Sequence, residues 1–186
     1  MAALLFGTAQ GLTLTPQTST AHARASYTQV STIPDLLNLD QGDRIEVKGL
    51  ASGKMTFSKL SGTVLEMHQD MTFSSIGRKA IETALERKLS GSGNTVAFRF
   101  TVKKSGSGFV YELFDRGSKE TLLSGPLTIM AGPSSATSQE VEFRAPIVRM
   151  KVTFNKASAN ASKGVAKFSL GPVPVPGGLS FHEIAK

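Results

Sequence analysis

Thr95-Val96-Ala97-Phe98-Arg99-Phe100-Thr101-Val102 alternates without a break: Val96, Phe98, Phe100 and Val102 lie on one side, and Ala97, Arg99, Thr101 and the following Lys103 on the other. A period of two is that of a strand with one buried and one wetted face. Ser105-Gly106-Ser107-Gly108 supplies a turn, and Phe109-Val110-Tyr111-Glu112-Leu113-Phe114 reads as a second strand that stops at Asp115-Arg116-Gly117. A third apolar run, 122–130, follows a polar turn. Three strands with short connections make an antiparallel meander, whose apolar face the rest of the chain must cover.

The flanking segments extend this pattern. Upstream, Ile45 and Val47 alternate with Arg44, Glu46 and Lys48, and Met55 and Phe57 alternate with Lys54 and Thr56. Segment 62–73 is extended and carries Val64, Leu65, Met67 and Met71. Ser74 or Ser75 caps a helix predicted over about 75–89. Its apolar stripe is Ile76, Ala80, Ile81, Ala84, Leu85 and Leu89, and its wet side is Arg78, Lys79, Glu82, Glu86, Arg87 and Lys88. A shorter helix is expected from Ser31-Thr32-Ile33-Pro34, with Pro at an early helical position. Downstream, 140–144, 148–155 and 165–170 read as strands, the middle one with Val148, Met150, Val152 and Phe154 inside. Pro172, Pro174 and Pro176 make the last segment an extended tail, because proline lacks the N–H that a sheet interior requires. Eight or nine strands and one helix at this spacing predict a mainly β protein. The expected form is a single jelly-roll-like antiparallel β-sandwich over 31–171, with an N-terminal arm at 1–30 and a tail at 172–186.

At 186 residues the chain is expected to form one domain, and its formal charge is +7. It has no cysteine, which removes disulfides and thiolate metal sites. No run approaches the ~18 apolar residues that a membrane-spanning helix needs. The N-terminal stretch has two readings. Ala2-Ala3-Leu4-Leu5-Phe6 and the ending Ala23-Arg24-Ala25 resemble a secretory signal, which would make the mature protein secreted or periplasmic. The missing basic region and the short apolar run favour a flexible, partner-exchanging arm.

No catalytic constellation emerges. His22, His68 and His182 lack metal-ligand spacing, and the glycine clusters at 91–93 and 106–108 precede strands rather than open helices, so they read as turns. Asp115, at a strand end, reads as a turn former that accepts from nearby backbone amides. Asn160-Ala161-Ser162 is a formal glycosylation sequon, informative only in a secreted chain. A non-enzymatic protein is therefore expected, with no cofactor, no metal and no evident small-molecule substrate. The basic residues are more informative. Arg99 and Lys103 share the outer face of one strand, Arg149 and Lys151 that of another, and Lys163 and Lys167 follow. Such rows fit single-stranded nucleic acid, RNA before DNA, held through its phosphates without regard to sequence. They equally fit a solvated face, or charges that guard an edge strand.

Leu113-Phe114-Asp115, with Gly171 about 55 residues further on, resembles the Leu-x-Asp…Gly signature of the 30K superfamily of plant viral movement proteins. The resemblance implies a β-rich, basic, non-enzymatic protein that binds single-stranded nucleic acid and acts at plant cell junctions, with a role in transport for Asp115. Two other readings accompany it. One is a jelly-roll capsid protein that self-associates in a virion, and the other is an exported bacterial β-sandwich released after Ala25.

Overall fold

A computed structural model describes residues 26–33, 39–49, 51–91, 93–155, 163–170 and 173–185. The arm or signal at 1–25 with His22, most of the helix expected from residue 31, and the Asn160 sequon lie outside the described residues.

The alternating segments become strands, and the strands close on themselves. After the two-residue β1 (Thr28–Gln29) come β2 (Arg44–Gly49), β3 (Ala51–Leu60), β4 (Val64–Phe73), β5 (Thr95–Ser105), β6 (Gly108–Asp115) and β7 (Glu120–Ser134). β8 (Ser138–Arg144), β9 (Val148–Asn155), β10 (Lys163–Leu170) and β11 (Val173–Ala185) complete the series. From β2 onward every strand pairs antiparallel with its sequence neighbours, and β11 pairs with β2, so the ten strands form a closed up-and-down barrel. The expected jelly-roll sandwich is thus overturned. A jelly roll needs connections that cross between two sheets. Here no connection crosses, and closure leaves the ring without an edge.

The expected C-terminal tail is also corrected, since it is the strand that closes the ring. Leu179, Ser180 and Phe181 lie opposite Gly49, Lys48 and Val47 of β2. Pro174 is accommodated by position. Val173, Pro174 and Val175 pair with β10 alone, before β2 comes alongside at Leu179, so a missing N–H interrupts no ladder on that side. β1 fills a comparable gap. β7 runs past the start of β6, and Thr28 and Gln29 pair with its Ala131 and Met130 there.

One face of each ring strand turns inward. Val47, Phe57, Leu65, Val96, Val102, Ile129, Val141 and Phe154 are buried in a single core, while Glu66, His68, Asp70, Arg99, Glu112 and Lys151 alternate with such residues on the outside. An apolar interior and a charged exterior are the reverse of a barrel that spans a bilayer. Among the described residues no helix is long and apolar enough to cross one.

The helix α1 (Ser75–Leu85) joins β4 to β5 and is shorter than the expected 75–89. The Ser74 hydroxyl accepts from the Gly77 N–H at 3.0 Å, and Glu86 ends the helix in the left-handed conformation. Ile81, Leu85 and Leu89 of the expected stripe pack on the core, but Ile76 is 83% exposed, whereas Arg78 and Glu82 are largely covered. The carbonyls of the following loop explain this. Arg78 donates to the carbonyls of Leu89, Ser90 and Gly93, and Glu82 accepts from the Leu89 N–H at 3.0 Å. Satisfying those backbone groups outweighs covering one isoleucine.

A chain ending at residue 172 lacks β11 and exposes the backbone edges of β2 and β10. It is expected to lose cooperative thermal unfolding, followed by circular dichroism in the far ultraviolet. A sigmoidal melt like that of the full chain would return 173–185 to the status of a tail.

Candidate functional site

Barrel diameter grows with strand number, and eight strands already give an interior that side chains just fill. With ten, the inward side chains leave a cavity of about 100 Å³. Its wall is wholly apolar: Ile45 and Val47 of β2, Met55 and Phe57 of β3, Leu65 and Met67 of β4, Phe100 of β5, and Phe143, Met150 and Val152 across the ring are among the lining residues. Leu39, just before β2, also lines it. Two small residues on β10 help to shape this side. Ala166 lines the cavity, and a side chain at Gly164 would run into the Phe181 ring and the Thr153 carbonyl. Phe181 instead meets Phe154 edge-to-face, 5.5 Å between centroids. Three of the lining residues are methionines, whose unbranched side chains change rotamer cheaply.

One barrel end is fastened by Asp115, which has no exposed surface. Its carboxylate accepts from the N–H of Ser90 at 2.8 Å, of Gly117 at 2.9 Å and of Ser118 at 3.3 Å, and from the Ser90 hydroxyl. Burial pushes the carboxyl up, but these donors outweigh it, and the group sits below its ordinary value. The turn-forming role read from the sequence is present, and it also ties the loop after α1 to the β6–β7 turn. A role for Asp115 in transport, implied by the movement-protein resemblance, would have to act from this enclosed position.

The proposed nucleic-acid residues do not gather on one surface. β5 and β9 stand four places apart around the ring, which puts Arg99 and Lys103 on a different side from Arg149, Lys151 and Lys167. Arg99 bonds Glu112 at 3.0 Å and lies 4.5 Å over the Phe114 ring. Arg149 pairs with Glu142 at 3.3 Å, and Lys151 with Glu140 at 2.8 Å. Lys103 and Lys167 are exposed, and the backbone of Lys163 pairs with Asn155 and His182. The β8–β9 charges have a local task. The Tyr27 hydroxyl donates to Glu140 at 2.6 Å, and Arg144 and Lys151 lie 5.7 Å and 5.6 Å from the Tyr27 ring, so the cluster pins β1 to the outer wall. His68 faces outward near Glu66 at 3.7 Å, and His182 lies 3.4 Å from Glu46.

Sequence reasoning missed the cavity, although it placed many of its wall residues on inward strand faces. The available signal was methionine recurring at inward positions 55, 67 and 150. Phe109 and Tyr111 of β6 are core residues. Comparisons with family models, with curated proteins and with solved structures gave no match.

Asp115→Asn is expected to cost about 2–3 kcal/mol at neutral pH, because charge-assisted bonds weaken and one acceptor becomes a donor. The depressed group stabilises the fold above its unfolded-state value, and that contribution fades as pH falls through the lower folded-state value. The gap between the urea midpoints of wild type and variant should therefore narrow on acidification below about pH 4. A pH-independent gap would contradict the assignment.

Proposed function

We propose that the barrel is a binding protein for a small hydrocarbon-rich molecule, held in the apolar cavity. The observation that carries this reading is the cavity itself, of about 100 Å³ and without a polar or charged lining residue. Apolar cavities of this order stay dry and take up apolar guests, as one of about 150 Å³ takes up benzene. Binding draws on the transfer of ligand surface out of water, about 25 cal/mol per Å². Rotation of Met55, Met67 and Met150 lets a guest longer than the resting cavity fit.

The alternative of a nucleic-acid-binding surface, with its movement-protein and capsid variants, draws on the net charge of +7 and on the exposed Lys103 and Lys167. It has weaker support, because Arg99, Arg149 and Lys151 are already paired with carboxylates and lie on two separate arcs.

Octane is a direct probe. Its addition is expected to shift the methyl NMR signals of Met55, Met67 and Met150 and to raise the melting temperature, while Ala166→Leu, which fills the cavity, suppresses both effects. Unmoved methionine signals would make the interior a packed core only. Salt-sensitive binding of single-stranded RNA by that same sample would then favour the surface reading.

A further inference from the structure

The two ends of the barrel are closed unequally. At the end fastened by Asp115, Ile81 and Leu85 of α1 and Leu89 after it pack on the core. At the opposite end, the segment before β2 covers the mouth on the β2–β4 side. The Ile33 N–H donates to the Gly62 carbonyl at 2.8 Å, and Leu39 lines the cavity. The Gly42 N–H and the Asp43 carbonyl bond the Phe57 backbone at 2.7 Å and 3.0 Å. On the β8–β11 side of that same end lies a groove of about 540 Å³. Among the described residues, Thr137, Ser138, Thr153 and Asn155 line it together with Phe154 and Phe181.

Phe154 and Phe181 belong to both spaces, since each lines the cavity and each lines the groove. Their rings meet edge-to-face, 5.5 Å between centroids, and form the partition between the apolar interior and the groove. Gly164, also in the groove, leaves the Phe181 ring room that any side chain would take. The rings are held to each other by packing, so turning one aside breaks no hydrogen bond between them. The two spaces differ in chemistry. The cavity wall is apolar, whereas the groove offers three hydroxyls and one amide, and none of its lining residues is charged. A hydroxyl donates one hydrogen bond and accepts two, and an amide does both, so such groups serve a neutral polar group even while bonded within the protein. An ionised group would lose hydration there and meet no opposite charge among the lining residues.

We propose that the guest is an amphiphile: its hydrocarbon chain occupies the cavity, its uncharged hydrogen-bonding head occupies the groove, and it passes between Phe154 and Phe181. The proposal rests on the reading of the barrel as a hydrocarbon-binding protein, and its test separates the two. The probe is an octyl chain ending in a neutral nitroxide ring, whose unpaired electron broadens the NMR signals of nearby nuclei. Octane is its companion without a head. In its reduced, diamagnetic form the probe is expected to shift the methyl signals of Met55, Met67 and Met150, as octane does. In its nitroxide form it should broaden the backbone amide signals of Thr137, Ser138 and Gly164 most strongly. Those of Gly49, Ala51 and Ala145, at the other end of the barrel, should stay sharp. Broadening that is strongest at that other end, or equal at both, would overturn the proposal while octane binding upholds the cavity. Octane binding without probe binding would do the same, as would broadened groove amides without methionine shifts from the probe. No methionine shift with either compound would overturn the cavity reading, and the proposal with it.

Discussion

The fold depends on one backbone ladder, that between β11 and β2. Every other pairing in the ring is between strands adjacent in sequence, which short connections bring together at small entropic cost. The β11–β2 ladder joins residues more than a hundred positions apart, such as Phe181 and Val47. Without it two rows of unpaired N–H and C=O groups, on β2 and β11, would face water. The ladder also sets the circumference, because the ring closes at ten strands.

Circumference then decides the interior. Ten inward faces enclose more volume than the phenylalanines, leucines and valines along them fill, and the remainder lies on the side built by β2, β3, β4 and β9 to β11. The opposite side, with Phe109, Tyr111, Leu127 and Ile129, is packed. The cavity is therefore lopsided. Such an interior fits the proposed guest without any constellation of catalytic type, since the transfer of apolar surface would supply the affinity.

The outer surface follows a different logic. Its cations mostly face acids across neighbouring strands: Arg99 with Glu112, Lys151 with Glu140, and Arg144 and Arg149 with Glu142. The half-exposed pair of Arg99 and Glu112 adds little stability. The Glu140 group gains more by holding Tyr27, and through it β1, against the wall. A sequence shows the cations as a row but not which carboxylate the sheet register sets beside each, and this is why Arg99, Arg149 and Lys151 read as free cations in the sequence and are paired in the fold.

The sequence by itself determined the strands and their faces. Strict alternation in 95–102, 148–155 and 44–48 told which side chains are buried, because successive residues of a strand point to opposite sides whatever the strand belongs to. It determined the turns at Gly106 and at Asp115 for equally local reasons. Only the tertiary structure decided that the meander closes into a ring, since a two-residue period is the same in a sandwich and in a barrel. It also recruited the proline-bearing segment as the closing strand, with Pro174 in a stretch paired on one side only. The cavity was illegible for the same reason. Each lining residue is an ordinary core residue in its own strand, and the unfilled space is a property of ten such strands at one radius.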